Sequence, residues 1–146
     1  MNLADTLKIS LPLTVTIPRK TKPGKKYSLT LNNYRNWYHH ENNALKVLYK
    51  GIVAKAVEKA EGELGKPPYK FTYTIFYSTK RLFDLANIGA VVQKFADDAL
   101  IELKLLEDDN YTFIPQIEYK FGGIDKENPR AELVIEEFRP DEFTSE

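Results

Sequence analysis

The chain has 146 residues, 42% hydrophobic and 29% charged, with no cysteine and a formal net charge of zero. It is long enough for one domain with a real core, and too apolar for disorder. No apolar run approaches the roughly 20 residues of a membrane span, Asp5 and Lys8 interrupt any leader-like segment, and disulfides, thiolate metal sites and thiol nucleophiles are excluded.

Residues 8–17 (KISLPLTVTI) alternate, with Ile9, Leu11, Leu13, Val15 and Ile17 on one face. This predicts one half-buried strand, and Pro12 places it at a sheet edge or a bulge. The following IPRKTKPGKKY carries Arg19, Lys20, Lys22, Lys25 and Lys26 around Pro23-Gly24. Structurally it is a turn between strands; functionally it is a basic loop able to grip phosphates without reading sequence. Residues 27–31 predict a short return strand. Next comes NNYRNWYHHENN, whose Tyr34, Arg35, Trp37 and Tyr38 suit base stacking or an interface equally well. His39 and His40 have no partner at metal spacing.

From Ala44 to Glu63 the pattern is helical, with Leu45, Leu48, Tyr49, Ile52, Val53, Ala56 and Val57 on the apolar face and Lys46 and Lys50 on the other side. Gly65, Pro67 and Pro68 stop this helix. Residues 69–78 (YKFTYTIFYS) predict a central strand. Residues 87–104 predict a second helix, closed by Asp108-Asp109-Asn110. Tyr111, Phe113, Ile117, Tyr119 and Phe121 alternate along a further strand, and residues 131–138 form the last. The acidic tail 139–146 is expected to fray. The outline is a single domain over 1–146, α+β, with a mixed β-sheet and two helices packed on one face, in the order β-β-α-β-α-β-β.

Chemistry concentrates between Asp84 and Asn110. Asn87, Lys94 and Asp98 are spaced by seven and four residues, within a few tens of degrees on one stripe of a helix. Phosphodiester hydrolysis without a covalent intermediate needs carboxylates for Mg2+ or Mn2+ and a cation near the scissile phosphate. Asp84, Asp108 and Asp109 fit as metal ligands with Asp98 as a fourth, and Lys94 fits as the phosphate contact. Helix and turn capping is the competing structural role for the aspartates, and an i,i+4 pair with Asp98 is the competing role for Lys94. Asn87 is expected to support the loop or cap the helix. Charge is also divided along the chain. Residues 1–60 carry eleven Lys/Arg against three Asp/Glu, and residues 61–146 carry ten against eighteen. A basic surface for a polyanion beside an acidic site accounts for the split, as does neutralisation between the halves.

Over residues 80–112 the pattern D-x-x-N, then a lysine, D-A-L and a closing aspartate pair resembles the RusA family of phage and prophage Holliday junction resolvases. The matching residues are Asp84 and Asn87, Lys94, Asp98-Ala99-Leu100, and Asp108-Asp109. Two departures stand out. Ala86 occupies the position of the second aspartate in the family's D-x-D-N, and six residues rather than two separate Asn87 from Lys94. An insertion of four keeps the lysine on the same face and moves it about 6 Å along the axis. The resemblance implies a cytoplasmic homodimer, in a bacterium or phage-infected cell, that resolves four-way and other branched DNA junctions as a Mg2+-dependent (or Mn2+-dependent) endodeoxyribonuclease. Asp84, Lys94 and Asp109 would be its catalytic residues. Arg19, Lys20, Lys22, Lys25, Lys26, Arg35 and Lys46 are the candidate contacts to the DNA backbone. The alternative is a RusA-like protein that binds branched DNA and cuts it weakly or not at all. A third reading is an unrelated dimeric α+β protein.

Overall fold

The computed structural model describes residues 5–140; the acidic tail expected to fray lies outside them from position 141 onward. The elements run β1 (Leu7–Leu11), β2 (Thr14–Ile17), β3 (Lys25–Ser28), α1 (Leu31–Tyr34), α2 (His39–Lys59), β4 (Tyr69–Tyr77), α3 (Leu85–Glu102), β5 (Gln116–Ile124) and β6 (Arg130–Glu137). The fold is α+β, with a mixed sheet of order β1-β6-β4-β5 and a separate β2-β3 hairpin. β4 pairs parallel with β5, and both other pairings are antiparallel.

Three expectations are revised. The predicted strand over 8–17 is two strands in two sheets, because Pro12, which lacks an N–H, breaks the ladder and hands the chain to the hairpin. Alternation nevertheless continues through the break, with Leu7, Ile9, Leu11, Leu13 and Val15 all buried. The first long helix starts at His39 rather than Ala44. Glu41 accounts for the earlier start, accepting from the backbone N–H of Tyr38 (3.2 Å), from the Tyr27 hydroxyl and from Lys25 Nζ (3.3 Å). Finally, a four-residue helix, α1, capped by the Thr30 side chain, intervenes between hairpin and α2.

α2 lies over β1 and α3 over β4 and β5, and the two helices pack against each other. Phe95 of α3 sits at the centre of an aromatic cluster with Tyr34, Trp37 and Tyr49. Tyr34 and Trp37 are therefore packed against the core rather than offered to bases. Tyr38 stands 73% exposed and stacks on His40. Lys46 and Lys50 of α2 reach across to Asp98 and Glu102 of α3 at 3.3 and 3.5 Å. No helix among the described residues is long and apolar enough to cross a membrane.

Candidate functional site

Asp84 is the N-cap residue of α3, but its side chain makes no capping hydrogen bond. Asp84 lines a polar groove of about 830 Å³ together with Asn32, Asn33, Arg35, Arg81 and Asn87. The groove forms where three segments converge: the start of α1 after the hairpin, the end of β4, and the first turn of α3. The N-terminus of α3 adds a positive dipole end to the two guanidinium groups, although the Asn87 N–H is already bonded to the Asp84 carbonyl at 3.0 Å. The groove thus combines two guanidinium groups, several amides and one carboxylate, a lining able to receive a phosphate.

The remaining candidates lie elsewhere. Lys94 is ten residues into the helix, about 15 Å from Asp84 along the axis. It faces Asp98 at 3.9 Å, the i,i+4 pairing that was its competing structural role, while Asp98 is held more closely by Lys46 at 3.3 Å. Asp108 spends its carboxylate on the turn, accepting from the N–H of Asp109 (2.7 Å) and from Asn110 Nδ2 (3.1 Å). Asp109 is exposed, and its carboxylate makes no hydrogen bond or ion pair among the described residues. Among the described residues, no three Asp, Glu or His side chains are disposed to hold a metal ion. Asp84 and Asp98 lie fourteen residues apart on α3, about 21 Å along its axis, so these two do not share an ion within one chain.

Asp97 is the acid the sequence reading passed over as a main site residue. It is 1% exposed and lies on the sheet-facing side of α3, with Oδ1 unpartnered and Oδ2 accepting from Gln93 Nε2 at 3.4 Å. Gln93 in turn accepts from the Tyr119 hydroxyl of β5. Burial pushes the Asp97 carboxyl up to about 7 against the pull of the Gln93 bond, and the neighbouring charges of Asp109 and Asp98 push the same way. Asp97 lies thirteen residues from Asp84, about 20 Å along the helix. The signal for Asp97 was a charged residue in register with an apolar stripe.

The basic candidates divide in two. Lys20, Lys22 and Lys26 are exposed on the hairpin, and Arg19 is exposed beside them, donating to the Pro23 carbonyl at 2.8 Å. Arg35 lines the groove. Lys25 is committed to Glu41 and Lys46 to Asp98. No protein-family profile matches the chain, and no curated protein sequence matches it.

Proposed function

We propose that the protein is a structure-selective endodeoxyribonuclease of the RusA type, which takes branched DNA along its basic hairpin and hydrolyses a phosphodiester seated in the groove at the start of α3. The observation that carries this reading is the free carboxylate of Asp84, set beside Arg35, Arg81 and Asn87 at a helix N-terminus. Arginines and helix N–H groups bind phosphate, and an uncommitted carboxylate among them has no structural duty. The exposed lysines of the hairpin extend the cationic surface in a way suited to backbone contacts without sequence readout.

A second reading, binding of branched DNA without cutting, is favoured by one observation. Ala86 stands where a second carboxylate would share the groove, and the other candidate acids lie toward the far end of α3. Incubating the purified chain with a synthetic four-way junction and Mg2+ separates the two. Symmetric nicks, abolished by Asp84→Asn while the junction is still shifted, support the nuclease. A shifted but intact junction supports the binder. No shift at low salt removes both.

A further inference from the structure

We propose that Tyr38, beside His40, is a stacking platform for an unpaired nucleobase, through which the protein gains affinity for single-stranded segments that intact duplex does not supply. The class of occupant rests on the nucleic-acid reading above, and its test is separate from cutting.

The segment around Tyr38 divides its rings between core and solvent. Trp37 turns inward, in edge contact with Tyr27, Tyr34 and Phe95 at centroid distances of 5.6, 5.9 and 6.3 Å. Tyr38, the next residue, is 73% exposed. Its ring lies parallel to that of exposed His40, with 6° between the planes and 6.0 Å between the centroids. Burial therefore does not account for the Tyr38 ring, yet its plane is matched by a neighbour. The backbone beneath it is held too, since Tyr38 is the N-cap residue of α2 and its N–H donates to Glu41 at 3.2 Å. A group fixed in place before binding loses little conformational freedom when it takes a ligand.

The surroundings say what that ligand is. Between Asp5 and Glu41 the chain has no acid and seven Lys or Arg. The Glu41 carboxylate that accepts from the Tyr38 N–H also accepts from Lys25 Nζ at 3.3 Å, so Tyr38 starts from the root of the basic hairpin. Arg35, three residues earlier and at most about 11 Å away along the chain, lines the groove with Asp84. Short links thus tie Tyr38 to both the cationic surface and the groove. A polyphosphate drawn to these cations carries its own flat groups, the nucleobases, and a single strand leaves their faces open to an aromatic ring. In duplex those faces are covered by neighbouring base pairs. Stacking involves no phosphate, so the ring's share of the binding does not add to the salt slope.

The test is fluorescence anisotropy with labelled oligo(dT) and a blunt duplex of equal length, in metal-free buffer over a series of salt concentrations. Tyr38→Ala should weaken oligo(dT) binding about ten-fold with the salt slope unchanged, and duplex binding by less than about two-fold. Tyr38→Phe, which keeps the ring, should bind oligo(dT) within about two-fold of wild type. Circular dichroism and the emission of Trp37, the sole tryptophan, check that both variants keep the fold. A wild type that does not bind oligo(dT) at low salt overturns the platform. So does oligo(dT) binding unchanged in Tyr38→Ala, the result expected if the ring serves a protein partner instead. Equal losses on strand and duplex, or equal losses in Tyr38→Ala and Tyr38→Phe, overturn it as well. Oligo(dT) binding that depends on the Tyr38 ring, with junctions left uncut in Mg2+, leaves the platform standing and removes the nuclease. Nicked junctions with Tyr38→Ala binding oligo(dT) like wild type do the reverse.

Discussion

Asp97 of α3 and Tyr73 of β4 are both buried between helix and sheet, and neither Asp97 Oδ1 nor the Tyr73 hydroxyl has a hydrogen-bond partner among the described residues. Burial holds the Tyr73 proton well above its ordinary range, and the Asp97 charge adds to the effect. Two unsatisfied polar groups in one core are costly, and the cost of the acid depends on pH.

For Asp97 the direction follows from its value of about 7 in the folded chain against an ordinary value of 3.8. Below about 4 both folded and unfolded chains hold the proton, and burial carries no ionic cost. Between there and about 7 the unfolded chain ionises first, so the folded state binds more protons and stability falls as pH rises. Above about 7 the penalty is complete, of order 4 kcal/mol at most. In chelator-treated buffer, urea melts should show the wild type gaining stability from pH 8 to pH 5. Asp97→Asn should flatten that profile and stabilise the chain at pH 8. A wild-type profile flat over this range contradicts the assignment.

Glu41 ties the hairpin to the start of α2 through Tyr27, Lys25 and the N–H of Tyr38. These bonds hold its carboxyl below the ordinary range, the Tyr27 hydroxyl contributing most. Glu41→Ala removes the cap and leaves the largely buried Tyr27 hydroxyl without this partner. It should lower the midpoint of a denaturant melt, with Tyr27→Phe recovering part of the difference in a double-mutant cycle.

Gly89 is buried inside α3, where alanine would ordinarily be favoured by about 1 kcal/mol. Here an added Cβ would lie 2.7 Å from the Tyr119 ring. Gly89→Ala should therefore destabilise the chain by about 1–3 kcal/mol. Gly51→Ala, with open space around the added Cβ, should lack this cost and gain up to about 1 kcal/mol.

The exposed hairpin lysines are separable from the committed ones. Lys20→Ala and Lys22→Ala should each weaken junction binding and reduce the salt slope by about 1. Lys46→Ala should leave the slope nearly unchanged and lower stability by up to about 1 kcal/mol, since its partner Asp98 is partly exposed. Equal slopes for all three variants would remove the hairpin from the binding surface.

Much of this architecture was legible in residue patterns. The period of α3 and the alternation of β4 mark both elements within two residues, because their apolar stripes are long and, in α3, broken only by Asp97. The start of α2 was not legible, since it depends on Glu41 being reached from Tyr27, a contact across 14 residues. β5 begins at Gln116, not Tyr111, because Tyr111–Phe113 continue the alternation inside a turn bonded through Asn110. For the candidate site, spacing along α3 identified the Lys94–Asp98 pair, but a shared stripe fixes direction and says nothing of separation. The same helix that aligns Asn87 with Lys94 also carries Asp84 away from Asp109.

The β2-β3 hairpin is fixed at its root. Leu29 donates to the Leu13 carbonyl at 2.9 Å, and the Tyr49 hydroxyl of α2 donates to the Pro12 carbonyl at 3.1 Å. The basic turn, residues 18–24, lies beyond the paired strands and is exposed throughout. The arrangement is a cantilever, with an anchored base and a projecting tip. On the proposed reading, its charges would meet the arms of a branched duplex while the sheet behind them keeps its shape.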